Sequence, residues 1–309
     1  MLLKPKSEFR KHYYLNKYVI ITPARFKRPR DVHEETILDK NDNCGLCPQG
    51  IEKGLILDYL GAKTRWLVMV LKNKYPAVTL NNKKAYGEQE VIIETPDHGV
   101  DMANLSIEQI ELVLEMYVKR AQKLAKNKKI NYLLIFKNSG SKAGASLHHS
   151  HSQIFATELL PPILEESLAE AKKYLSKTGH CPLCDVIKQE IKAKKRLIME
   201  NKEIAIIAPY ASEYHYEAWL MTKRHVDNIV DLNAKELKAL AAGLKKILIK
   251  LHQLNLSYNF SFEQVVNDKE QHFCLKIQPR DSIWAGVEMN SGLIINSVPP
   301  EEAAKFYRK

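Results

Sequence analysis

Four of the five cysteines stand as two Cys-x-x-Cys pairs, Cys44 with Cys47 and Cys181 with Cys184. Each pair is followed far downstream by two histidines: His98 and His149 after the first, His225 and His272 after the second. A Cys-x-x-Cys turn offers two thiolates from one tight loop, and zinc takes four tetrahedral ligands, most often thiolate and imidazole. The pattern predicts two Cys2His2 zinc sites, one from Cys44, Cys47, His98 and His149, the other from Cys181, Cys184, His225 and His272. Such widely spaced ligands meet only in a folded domain, so each ion reads as a structural staple. A redox reading lacks the helix that follows a thioredoxin-like pair, and duplication argues against it. A nucleic-acid zinc finger places its histidines about three to five residues apart, close behind the cysteines, and this chain does not.

The second concentration of reactive side chains is residues 144–156, Gly-Ala-Ser-Leu-His-His-Ser-His-Ser-Gln-Ile-Phe-Ala. Side chains alternate across a strand, so His149, His151 and Gln153 share one face and His148 points elsewhere, exposed or structural. Three polar side chains on one face are costly to bury unless they meet a metal or a ligand. Aligned on the metal frame, His149, His151 and Gln153 correspond to His272, Cys274 and Lys276. The ligand position is kept while the other two change, which assigns His149 and His272 to metal and His151 and Gln153 to chemistry.

These residues need a scaffold, and the sequence repeats one. Glu90 to His98 and Glu217 to His225 are matched nine-residue blocks, β-prone in the middle and closed by a histidine. Ser106 and Asn233 then serve as N-caps, with Gln109 and Glu236 completing capping boxes. Apolar residues at helical spacing follow (Ile110, Leu112, Val113, Tyr117; Leu237, Leu240, Leu244, Ile247, Leu251), predicting helices over 107–125 and 234–254. Strands are predicted at 131–137 and 258–266, and a helix at 164–175 stops at Gly179. The fold class is α+β, two tandem repeats of an antiparallel sheet with a long packed helix, residues 1–176 and 177–309.

His-x-His-x-Gln after Gly-x-Ser resembles the galactose-1-phosphate uridylyltransferase family, the transferase branch of the histidine-triad superfamily. The resemblance extends over nearly the whole chain. Residues 23–29 (Pro-Ala-Arg-Phe-Lys-Arg-Pro) look like its phosphate loop, 73–77 (Asn-Lys-Tyr-Pro-Ala) like its nucleoside stretch, and 286–288 (Gly-Val-Glu) like its sugar segment. It implies two histidine-triad-like repeats, the second degenerate, and transfer of a nucleotidyl group from a nucleoside diphosphate sugar through a covalent adduct on His151. A sugar 1-phosphate or phosphate is then the acceptor. Gln153 and Ser146 would hold phosphoryl oxygens, Arg25 and Arg28 the developing charge, Asn138 phosphate, Asn73 the ribose and Glu288 the hexose. A homodimer is implied, with the sugar segment reaching the partner's site. The activity implied first is UDP-glucose–hexose-1-phosphate uridylyl transfer. Ser150 and Ser152, where that family usually has proline and glycine, resemble instead the branch containing ADP-glucose phosphorylase, so the alternative activity implied is an ADP-glucose or dinucleotide phosphorylase that moves adenylyl to phosphate. Lys74 replaces an acidic residue, and Ile294 stands where a glutamine is expected, with Asn296 two residues on.

Composition is consistent with this reading. The 309 residues are 45% hydrophobic and 27% charged, enough for a packed core and too mixed for a disordered chain. No apolar run approaches a membrane span of about 18 residues, and no secretion signal opens the chain, so a cytoplasmic protein is expected. The net charge of +11 suits phosphate ligands, but most of it reads as solvated lysine. A zinc-stapled nucleic-acid binder is the remaining, weaker alternative.

Overall fold

The duplication in the sequence is a duplication in the fold. The computed structural model describes residues 7–27, 44–266 and 268–309. Strands β1 (Glu8–Lys11) and β2 (Tyr18–Ile21) come first. The first repeat holds β3 (Ile56–Ala62), β4 (Arg65–Lys72), β5 (Gly87–Ile93), α1 (Ile107–Leu124), β6 (Tyr132–Ser139) and β7 (His151–Thr157). Helices α2 (Pro162–Thr178) and α3 (Pro182–Ala193) follow, and α3 opens inside the second cysteine pair, where the sequence showed no helix pattern. The second repeat holds β8 (Leu197–Glu200), β9 (Ile204–Ile207), β10 (Ala218–Thr222), α4 (Ala234–Gln253), β11 (Tyr258–Val265) and β12 (Cys274–Pro279). Last come α5 (Gly286–Ser291), β13 (Ile294–Asn296) and α6 (Pro300–Arg308).

One ten-stranded sheet runs β3-β4-β5-β7-β6-β11-β12-β10-β9-β8, so the second half mirrors the first about the β6–β11 pair. That pair is antiparallel from Tyr132↔Val265 to Ser139↔Tyr258 and fuses the two halves. Helices α1 and α4 pack on one face. Their buried stripes, including Ile110, Val113, Tyr117, Leu240, Leu244 and Ile247, share one core with Ile92, Ile135, Ile154, Leu220, Phe260 and Leu275 from the strands. Leu112, read as part of the stripe, is only partly buried. The four residues of β9 are buried on both faces because α3 covers the side that α4 does not. Among the described residues, no helix is long and apolar enough to cross a membrane.

The local signals hold in most places and fail informatively in three. The Asn233 box forms in full, but at Ser106 only half does. Ser106 Oγ accepts from Gln109 N at 3.1 Å, while the Gln109 amide donates to the carbonyls of Leu67 and Glu94, at 2.8 and 2.7 Å. Gln109 thus ties the helix to the sheet instead of to its own cap. The matched blocks are also offset by one residue within the strands. Ile93 pairs with His151 where Met221, not Leu220, pairs with Cys274. Glu90 and Glu217 are therefore not equivalent, and both strands end before their histidines. Third, the N-terminal segment packs on the second half: Tyr13 donates to Glu190 at 2.8 Å, Arg10 pairs with Glu301 at 3.0 Å, and β2 runs parallel to β13.

Replacing Asn233 by Ala removes two accepted N–H bonds from the first turn of α4. A loss of about 1–2 kcal/mol is expected, read as a lower urea midpoint with an unchanged slope.

Candidate active site and metal centres

The four side chains of each predicted metal set meet. In each cluster the ligand atoms lie within 4.8 Å of one another. Cys47 Sγ lies 3.4 Å from His98 Nδ1 and 3.5 Å from His149 Nδ1, and Cys44 Sγ lies 3.8 Å from His149 Nδ1. In the second cluster Cys184 Sγ lies 3.4 Å from His225 Nδ1 and 3.3 Å from His272 Nδ1. Tetrahedral zinc with bonds of about 2.3 Å to sulfur and about 2.05 Å to nitrogen sets S···N at about 3.6 Å, so both clusters fit. The outer contacts fit as well. His149 Nε2–H donates to the Thr95 carbonyl and His272 Nε2–H to that of Thr222, each at 2.8 Å, which leaves Nδ1 as the ligand. Cys44 and Cys47 lie in a turn closed by Cys47 N–H to Cys44 O at 3.1 Å, and Gly50 lets the chain pass, since a Cβ there would sit 2.3 Å from the Cys44 oxygen. The second cluster is more open, with His225 exposed.

His151 and Gln153 sit on the sheet face opposite α1, beside the first cluster. His151 is 8% exposed, and its Nδ1–H donates to the His149 carbonyl at 2.8 Å. That bond fixes the tautomer and leaves the Nε2 lone pair free. Burial first, then the nearby Lys137 cation, lowers the His151 pKa, which favours the neutral imidazole. Gln153 Oε1 accepts from Asn73 Nδ2 at 3.3 Å and Gln89 Nε2 at 3.0 Å, so the Gln153 amide nitrogen is turned outward as a donor.

The other predicted residues divide. Asn73 joins this group, and its Oδ1 also accepts from Tyr75 N at 2.8 Å, holding a tyrosine ring that is 83% exposed. Asn138 sits at the end of β6, its Oδ1 taken by Asn259 Nδ2 at 2.8 Å, which leaves its own amide N–H groups as donors. The loop after β6 turns at Gly140, with φ 84° and a virtual Cβ 2.2 Å from Ser257 Oγ, so only glycine fits. Ser146 and His148 are exposed on that loop. Arg25 lies in a 3-10 turn, Pro23–Lys27, held by Arg25 N–H to Thr22 O at 3.1 Å next to the C-terminal strand β13. Glu288 lies on α5, where it caps Ala285 N at 2.9 Å. Neither is hydrogen-bonded to the strand of His151 among the described residues. Arg28 lies outside the described residues. Asn296 is buried and donates to Ser212 O and Tyr214 O, so it is committed to the fold.

Sequence reasoning missed Gln89, Lys137 and Glu94. Gln89 was findable, because period-two alternation on β5 puts it on the same face as Val91, the pairing partner of Gln153. In the second half the place over Cys274 and Lys276 is a cavity of about 90 Å³, narrowed by His12 and Tyr14 of the N-terminal segment. Burial pushes the Cys274 thiol up to about 12, far from thiolate chemistry.

Residues 68–161 match the family model described as galactose-1-phosphate uridyl transferase, N-terminal domain, and residues 167–272 match that of its C-terminal domain. An ADP-glucose phosphorylase of Arabidopsis thaliana is 32% identical over 98% of this chain and 92% of its own. The chain belongs to the galactose-1-phosphate uridylyltransferase family. A galactose-1-phosphate uridylyltransferase of Thermotoga maritima is 29% identical over 98% of both chains. Among solved structures, an Arabidopsis thaliana ADP-glucose phosphorylase with bound ADP-glucose superposes at TM-score 0.87, with 31% identity and 99% of both chains covered. A uridylyltransferase superposes at 0.77, with 25% identity, covering 98% of this chain and 97% of its own. The protein is thus an enzyme of the nucleotidyltransferase type, with two Cys/His groups suited to zinc.

Elemental analysis of protein prepared without chelator should find zinc at both clusters. Cys47→Ser should remove close to one equivalent and lower the thermal midpoint, because the staple's binding energy is folding energy.

Proposed function

We propose that this enzyme transfers the nucleotidyl group of a nucleoside diphosphate hexose through a covalent adduct on His151. The observation that carries the reading is the bond from His151 Nδ1–H to the His149 carbonyl at 2.8 Å, which leaves one nucleophilic nitrogen. In the first displacement His151 Nε2 bonds to the α-phosphorus, and the phosphoanhydride oxygen leaves with its electron pair as hexose 1-phosphate. In the second an acceptor phosphate oxygen bonds to the same phosphorus, and the N–P electrons return to the imidazole. Splitting one transfer into two replaces a hard step by two easier ones. The outward Gln153 amide, the Asn138 amide and Ser146 donate to phosphoryl oxygens, where charge develops. Asn73 meets the ribose, beside the exposed ring of Tyr75.

Arg25 and Glu288 complete the site from a second copy in a homodimer. Support comes from the position of Arg25 beside the C-terminal segment and from the apolar surface around Glu288. There Ile283 is 76% exposed, Val287 49% and Met289 71%, the kind of patch that a partner covers. Zinc held by all four side chains of each Cys/His group would serve as a structural staple. Thiolate ligands suit a reducing cytoplasm.

The nucleotide is best read as adenosine, with phosphate as acceptor. Ser150 and Ser152 favour that reading, as does similarity to the ADP-glucose phosphorylase along 98% of the chain. Uridylyl transfer to a hexose 1-phosphate is the second reading, supported by the relatives of that activity.

Incubation with ADP-glucose or UDP-glucose labelled in the α-phosphate should leave acid-labile label on the protein, more from ADP-glucose. Phosphate should discharge it as ADP. His151→Asn should reduce trapping to background; persistent label in that variant places the nucleophile elsewhere. Faster labelling by UDP-glucose with discharge by galactose 1-phosphate selects the second reading.

A further inference from the structure

Strands β6 and β7 pair from Tyr132↔Thr157 to Phe136↔Gln153 and then part, while β5 stays with β7 as far as Ile93↔His151. The Ser150 carbonyl is taken from the β5 side, by Glu94 N–H at 3.1 Å. Successive carbonyls along a strand point opposite ways, so that of His151 turns toward the opened β6 side, where the ladder no longer meets it. The Lys137 ammonium meets it, at 3.1 Å. The same nitrogen donates to Glu94 Oε2 at 2.7 Å and Ser150 Oγ at 3.0 Å, and Ser150 Oγ donates to Glu94 Oε2 at 2.6 Å. Tyr117 of α1 donates to Ser152 Oγ at 2.7 Å. The Lys137 side chain is 2% exposed and that of Glu94 is fully buried.

Burying such a pair costs more than apolar packing of the same volume, so its presence needs a reason. The second half supplies the control. By strand register, Lys137, Glu94, Ser150 and Ser152 correspond to Phe262, Thr222, Phe273 and Leu275. There Phe262 and Phe273 pack ring against ring at 5.2 Å. That half keeps a complete Cys2His2 cluster and has Cys274 in place of His151. The ion pair therefore accompanies the imidazole and is required by neither the metal ligands nor the sheet.

We propose that Lys137, held by Glu94 and Ser150, is a positioning residue for His151: it replaces the missing strand partner and fixes the peptide that carries the nucleophile. The proposal rests on His151 being that nucleophile. In it the serines of the His-Ser-His-Ser-Gln motif are parts of the support and do not touch substrate.

The test is the double variant Lys137→Met with Glu94→Gln, which removes both charges together so that neither is stranded. Zinc content and the denaturation midpoint are measured first. Hexose 1-phosphate release in a single turnover is then followed with whichever nucleotide sugar labels the native protein. Binding within about threefold of native and release slowed about 30- to 100-fold are expected, the scale of a small misplacement of a reacting atom. Native release from a folded, zinc-loaded double variant overturns the proposal, as does weaker binding with an unchanged rate. If the double variant does not fold, Ser150→Ala, which removes one of the ammonium's contacts, should slow release about 3- to 10-fold; native release from it overturns the proposal equally. Label surviving in His151→Asn indicts the nucleophile and not Lys137.

Discussion

A single hydrogen bond, from Nδ1 of His151 to the carbonyl of His149, sets what the site can do. It joins the first residue of β7 to the bend just before it, so it exists only if that buried entry to the strand is held in place. The Cys44, Cys47, His98 and His149 cluster grips one side chain of this strand, the Thr95 carbonyl fixes the ring that does the gripping, and β5 pairs alongside. The Cys/His cluster and the imidazole of His151 thus share a backbone. Within β7 alternation puts His151 and Gln153 on one face and Ser152 on the other.

The duplicated sheet explains how such a site can be stable. Fusion through β6 and β11 lets α1 and α4 share one continuous core, which carries the stability of both halves. The second half keeps its cluster, fills its interior with Phe262 and Phe273, and covers Cys274 with the N-terminal segment. The first half instead buries a lysine and a glutamate beneath His151, where β6 and β7 part. The two copies differ most around His151 and its counterpart Cys274.

Much of this was legible in the residues. Both Cys/His sets, the two long helices and the shared face of His151 and Gln153 follow from spacing and period. What escaped has physical causes. One extra residue between β5 and His98 offsets the repeats, and an ungapped reading cannot see it. The Gln109 side chain chose sheet carbonyls over its own cap because they lay within reach only after folding. Lys137 and Glu94 carry no local signal, since partners 43 residues apart meet only through sheet order. The N-terminal segment joined the second half through the part-buried Tyr13 and Arg10 contacts, which no local pattern announces.

The most direct test is the position of the covalent bond. Quenched enzyme can be digested and the modified peptide studied by phosphorus NMR, which separates the two phosphoramidate isomers of histidine. The account predicts one nucleotidyl group on Nε2 of His151, because Nδ1 is occupied by its proton and the His149 carbonyl. Attachment at Nδ1, or at any other residue, would contradict it.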